Sequence, residues 1–196
     1  MTLSLGILVS GSGTNMQALL DGMSAGQLDA KCRVVISNRA DAYALERAKR
    51  AEVPTVVIEH KKFPSREAFD AELVKTLRDH GVEWIALAGF MRVLTPVFLD
   101  AFSGRIVNIH PSLLPAFPGV DAQGQAFRYG VQVTGCTVHF VDRDVDTGPI
   151  ILQRTVAVRP DDTDDSLRAR ILVEEHGALL EAWSLIASGR LHLVSE

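Results

Sequence analysis

Short runs rich in Val, Ile, Leu and Ala alternate along this chain with segments of helical period, and no other feature limits the fold so strongly. "SLGILVS" (4–10), "CRVVISN" (32–38), "PTVVIEH" (54–60), "WIALAGF" (84–90) and "RIVNIH" (105–110) read as strands. Patterns such as "TNMQALLDGM" (14–23) and "AYALERAKRA" (42–51), with apolar residues every three or four positions, separate them. Parallel neighbours need a crossover, so this alternation predicts a parallel sheet covered by helices. The strand runs are almost unbroken in apolar residues, as expected when both sheet faces are buried.

After Pro118 and Gly119 comes a helix-like "AQGQAFRYG" (122–130), then two strand candidates, "CTVHFV" (136–141) and "PIILQRTVAV" (149–158), joined by "DRDVDTG" (142–148). A connection that short suits an antiparallel or mixed extension of the sheet. Residues 161–189, with Asp and Thr at the start and Gly at the end, read as one long helix. "RLHLVSE" (190–196) reads as a short final strand or tail. With 196 residues and no linker-like stretch, the expectation is a single domain over 1–196.

Hydrophobic residues make up 47% and charged residues 22%, which predicts a packed core rather than a disordered chain. The net charge of -4, without a basic run, argues against a nucleic-acid partner. The start "MTLSLGILVSG" has no basic region or cleavage site, which argues against a secretory signal or a membrane span and leaves the cytoplasm as the expected compartment. Cys32 and Cys136 are far apart and outside any CxxC spacing, so they are expected to be reduced core thiols rather than a disulfide or zinc ligands.

Two places along this frame suggest chemistry. The first is "VSGSGTNMQALL", where Gly11, Ser12, Gly13, Thr14 and Asn15 connect a strand to a helix; glycines and free helix N–H groups there would suit a phosphate. Met16 stands where a dinucleotide fingerprint needs its third glycine, and no acid closes the second strand, which speaks against a dinucleotide site. The plainer alternative is a strand-to-helix turn capped by Thr14 or Asn15.

The second is "IVNIHPSLLP" (106–115), an apolar run ending in Asn108 and His110. Residues two apart share a face of a strand, and ligands of open parallel sheets bind beyond the strands' carboxyl ends. An amide beside an imidazole suits carbonyl chemistry: one group stabilises an oxyanion, the other carries a proton. Pro111 restricts His110 to an extended conformation. An orienting carboxylate is expected among Asp142, Asp144 and Asp146, which the residues alone do not separate. Their DxDxD spacing resembles a calcium loop, but Gln153 occupies the twelfth position where a bidentate Glu is required, so no metal is expected.

"SGSGTN", "SNRADAYALERA", "LAGFMRVL", "NIHPSLLPAFPG", "GCTVHFVDRDVDTGPIILQ" and "EEH" stand in an order and spacing that resembles the phosphoribosylglycinamide formyltransferases, a folate-dependent family, through essentially the whole chain. The resemblance implies an α/β, Rossmann-like, mostly parallel twisted sheet with helices on both faces. It implies formyl transfer from 10-formyltetrahydrofolate, as co-substrate, to the amine of 5-phosphoribosylglycinamide in purine synthesis. Asn108, His110 and Asp146 match the catalytic residues, which singles out one aspartate of the three. Gly13, Thr14, Asn15 and Glu175 match the phosphoribosylglycinamide site, while Arg66, Met91, Arg92, Val93, Leu94, Asn108, Asp142, Arg143, Asp144, Val145 and Asp146 match the folate site. Residues 1–100 then form a phosphate-binding half and 101–196 a catalytic and folate-binding half, in a monomer or homodimer.

Departures from the family pattern are small: Ala116 replaces Lys or Ser, and "DAQGQA" (121–126) replaces a more histidine-rich variant. The nearest alternative chemistry is hydrolysis, as in the formyltetrahydrofolate deformylases. That family carries an additional N-terminal regulatory domain, and the methionyl-tRNA formyltransferases usually bring a C-terminal one, neither of which is expected here.

Overall fold

The computed structural model describes residues 2–191. Seven strands form one sheet in the order β3-β2-β1-β4-β5-β6-β7: β1 (Leu3–Val9), β2 (Ala30–Ser37), β3 (Thr55–Val57), β4 (Trp84–Leu87), β5 (Ile106–His110), β6 (Val133–Phe140) and β7 (Ile150–Ala157). The first five run parallel, while β6 and β7 are antiparallel to their neighbours. The strand order reverses between β1 and β4, so a crevice opens beyond their carboxyl ends.

Among the described residues six α-helices cover the sheet: α1 (Thr14–Ser24), α2 (Tyr43–Arg50), α3 (Arg66–Asp79), α4 (Pro96–Ala101), α5 (Ala122–Tyr129) and α6 (Asp164–Ala187). Leu5, Ile7 and Val9 of β1 pack with α1, α2 and α6, whereas Leu8 joins Phe69, Leu73 and Leu77 of α3 and Phe98 of α4. Both faces are therefore buried, the physical reason the strand runs lack polar alternation. Thr163 caps α6 through a reciprocal pair of hydrogen bonds with Ser166, so the capping signal lies two residues inside the 161–189 pattern. Among the described residues no helix is long and apolar enough to cross a membrane.

Several boundaries move for identifiable reasons. β3 keeps only three residues of the 54–60 run because its partner β2 ends at Ser37. β6 begins at Val133 rather than residue 136, since Gly135 lets the chains approach: a Cβ there would lie 1.9 Å from the Arg154 carbonyl oxygen. Thr14 and Asn15 do not cap α1; Gly13 occupies that position with φ 74° and no side-chain cap. The expected final strand falls largely on residues 192–196, outside the described residues. Cys32 and Cys136 are buried free thiols, with burial pushing both up to about 12.

Candidate active site

On β5, Val107 and Ile109 enter one core, leaving Ile106, Asn108 and His110 on the opposite face. The antiparallel pairing with β6 sets His139 directly opposite Asn108. Its neighbours Val138 and Phe140 point into the core, so His139 emerges beside Asn108. The two side chains meet, with Asn108 Nδ2 3.2 Å from His139 Nε2. An amide nitrogen donates, so His139 Nε2 accepts; its Nδ1 correspondingly donates to the Phe140 carbonyl at 2.8 Å. Burial pushes the His139 pKa down, against smaller opposing effects of the Phe140 carbonyl and Asp146, and so keeps this acceptor neutral. The amide of Asn108 is thereby oriented, with a second N–H left for another partner.

His110 is fixed in the complementary way. Its Nε2 lies 2.8 Å from the Phe117 carbonyl oxygen, an acceptor only, so this nitrogen carries a proton. Nδ1, the other ring nitrogen, lies 3.3 Å from Asp146 Oδ2. Asp146 occupies a left-handed conformation (φ 59°) that turns its carboxylate inward, where Oδ2 also accepts from Gly119 N–H at 2.8 Å. Its other oxygen is 3.8 Å from His139 Nε2. One carboxylate thus faces both imidazoles. The other two aspartates of the turn do not join: Asp142 accepts from Thr147 at 2.8 Å, and Asp144 is exposed. Arg143 pairs with Asp100 at 2.9 Å, tying the turn to α4, and Val145 is exposed.

The crevice beyond β1, β2 and β4 holds about 500 Å³, lined by residues 10–15 together with Asn38, Arg39, His60, Met91 and Arg92. Among the described residues no carboxylate lines it, and the first helical hydrogen bond of α1 runs from Gln17 N–H to Gly13 O, leaving earlier N–H groups of α1 without helix acceptors. Gly13 itself is required for packing: a Cβ would lie 2.5 Å from Ala44 Cβ, at a φ of 74° that strains any other residue. Gly13→Ala should therefore lower stability by about 1–3 kcal/mol, read from the urea midpoint, before any effect on a ligand is considered.

Asn15 donates from Nδ2 to Glu175 Oε2 at 2.7 Å, joining α1 to α6. Burial raises the Glu175 pKa despite that bond. A folded-state pKa above the unfolded value means that the stabilising contribution is complete below about pH 4.5 and is lost as pH rises through the folded pKa. Glu175→Gln keeps an acceptor for Asn15 and removes the ionisation, so thermal unfolding at neutral pH should shift upward; no upward shift would show that the charge is better compensated than the burial implies.

Segment 91–95 is fastened at three points: Met91 N–H donates to Ser10 Oγ at 2.9 Å, Arg66 donates to the Val93 carbonyl at 2.8 Å, and Thr95 N–H donates to the buried Asp70 at 2.6 Å. Leu94 is buried, while Met91 and Val93 are 71% and 53% exposed. Arg92 lies over the Phe69 ring with its buried Nε unpartnered among the described residues. Ser10, Asn38 and His139 lie inside the family motifs without a role assigned to them there, and Asp70 and His60 lie outside those motifs; only the Asn108–His139 pairing across β5 and β6 carries a signal, and it requires the strand register. Among the described residues no group of His, Cys, Asp and Glu is arranged to hold a metal.

The chain belongs to the formyl transferase family, whose model matches residues 4–183. It is 41% identical over 187 residues to the phosphoribosylglycinamide formyltransferase of Escherichia coli, covering 95% of this chain and 88% of that protein. A crystal structure of glycinamide ribonucleotide transformylase 1 from Symbiobacterium toebii superposes with a TM-score of 0.96 at 54% identity, covering 99% of this chain and 91% of that one. The trifunctional purine biosynthetic protein adenosine-3 of Drosophila pseudoobscura is 50% identical over 192 residues, 97% of this chain. The chain spans only 14% of that longer protein.

Proposed function

We propose that the chain transfers the formyl group of 10-formyltetrahydrofolate to the amine of 5-phosphoribosylglycinamide. The observation that carries this reading is the cluster of Asn108, His110 and Asp146, with the Asn108 amide aimed by His139. The similarity to phosphoribosylglycinamide formyltransferases over most of both chains supports it.

In this reading the substrate amine attacks the formyl carbon, the bond from that carbon to the folate N10 breaks, and the amine's proton passes to N10. The free N–H of Asn108 stabilises the formyl oxygen as it gains negative charge. His110 Nδ1 donates to the same oxygen while its Nε2 remains on the Phe117 carbonyl, so the ring does not have to turn over. Asp146 balances the imidazolium and relays the proton from the attacking amine. The phosphate rests on the α1 start at Gly13, Thr14 and Asn15, Glu175 contacts the glycinamide end, and Arg66 with residues 91–94 and 142–146 holds the folate. Bringing the two substrates together supplies much of the remaining acceleration.

The test is the absorbance change on formyl loss from 10-formyltetrahydrofolate, followed with and without 5-phosphoribosylglycinamide. Loss that depends on the acceptor supports transfer; equal loss in its absence identifies a hydrolase.

A further inference from the structure

The strand ends beside the phosphate turn carry polar residues that the proton-transfer cluster does not use. Ser10, after β1, and Asn38, after β2, are both 5% exposed. Ser10 Oγ donates to Asn38 Oδ1 at 2.6 Å and accepts from Met91 N–H at 2.9 Å, while Ser10 N–H donates to the Gly89 carbonyl at 3.1 Å. One serine therefore holds both sides of the turn into segment 91–94. Asn38 Nδ2 reaches His60 Nδ1 at 3.4 Å, and since the amide nitrogen donates, His60 must offer a lone pair. All five residues border the same crevice.

We propose that Asn38 is a positioning residue for the folate-side segment 91–94, and that His60 holds its amide in the working orientation only while neutral. The inference rests on the assignment of that segment to the folate. A proton on His60 Nδ1 would set a donor against the Asn38 donor. Relief requires the amide to rotate, which removes the acceptor from the Ser10 hydroxyl and frees that hydroxyl to turn from Met91 N–H.

The groups around His60 set where this happens. Burial is the largest influence and Arg92 and Lys61 also oppose a further positive charge, while a hydrogen bond to the Asn38 backbone and the Glu59 carboxylate favour it; the balance pushes the His60 pKa down. The ring stands edge-on to Phe69 of α3, with centroids 6.2 Å apart, and Arg39 at the crevice edge is neutralised by Asp41. Positioning is thus complete above about pH 6.5 and is lost only as pH falls further, through the lowered folded pKa of His60.

Calorimetric binding of tetrahydrofolate, under anaerobic conditions, and of 5-phosphoribosylglycinamide should be measured from pH 8 to pH 5 for the wild type, His60→Gln, Asn38→Leu and Ser10→Ala. The wild-type Kd for tetrahydrofolate should rise about tenfold on acidification, one pKa unit's worth of coupling, with a smaller change for the other ligand. His60→Gln, which accepts a hydrogen bond without titrating, should abolish that difference. Asn38→Leu and Ser10→Ala should weaken tetrahydrofolate at every pH, and Ser10→Ala carries the test if Asn38→Leu does not fold. An unchanged acid limb in His60→Gln, or equal weakening of both ligands in the substituted proteins, would overturn the inference. Failure of the wild type to bind tetrahydrofolate at any pH would overturn the folate assignment and the inference with it.

Discussion

Asp146→Asn should lower kcat by about 10³-fold, within the range lost with a group that moves protons in the transition state. The carboxylate faces His110 Nδ1 at 3.3 Å and His139 Nε2 at 3.8 Å, and it also accepts from Gly119 N–H. Asn is nearly isosteric, so one oxygen can still receive the Gly119 bond and the turn keeps its left-handed bend. The charge opposite His110 disappears, and with it the balance for an imidazolium. The loss should therefore fall on kcat, with the KM for the folate changing far less. Asp144→Asn is the comparison: that side chain is exposed and, among the described residues, both imidazoles pair with Asp146 instead, so its effect on kcat should stay within about threefold. Steady-state kinetics on both variants decide the matter, and a larger loss in Asp144→Asn would remove Asp146 from its role.

Asn108→Ala should cost about 10²–10³-fold in kcat, the usual effect of deleting one oxyanion donor. His139→Leu should cost less, about tenfold, because it leaves the donor in place and removes only the nitrogen that aims it. The informative quantity is their combination. If His139 acts through Asn108, the double variant should be no slower than Asn108→Ala alone, since the amide being aimed is gone. Multiplying losses would show that His139 reaches the substrate or Asp146 independently. Acidification should mimic the histidine substitution: its pKa is lowered by burial, so the neutral acceptor and its stabilising effect are complete above about pH 6.5 and are lost as pH falls toward the folded value.

The sheet could be read from the chain because both its faces are buried: β1, β2, β4 and β5 coincide with apolar runs too unbroken for a helix that keeps one face in water. Asn108 and His110 stood out for the same reason, as polar interruptions at the end of such a run. Asp146 required the family pattern, because three aspartates in one turn differ only in backbone conformation, and a φ of 59° leaves no mark on composition. His139 sat in plain view within a predicted strand, yet its value depends on a register of two antiparallel strands joined by a turn. Ser10, Asn38 and His60 come from three separate strand ends and meet only once the sheet has assembled. Gly13 illustrates a different limit: its residue type suggested backbone approach to a phosphate, whereas the nearest obstruction to a side chain is Ala44.

Direct transfer is the central claim, and the origin of the product's formyl oxygen tests it most closely. With a carbon-13 formyl label on 10-formyltetrahydrofolate and the reaction run in oxygen-18 water, direct attack carries both the labelled carbon and its original oxygen to the glycinamide nitrogen. Mass spectrometry should find a formylated product enriched in carbon-13 and free of oxygen-18. Labelled formate appearing in its place, or a product whose formyl oxygen derives from water, would contradict direct transfer and point to hydrolysis at this site.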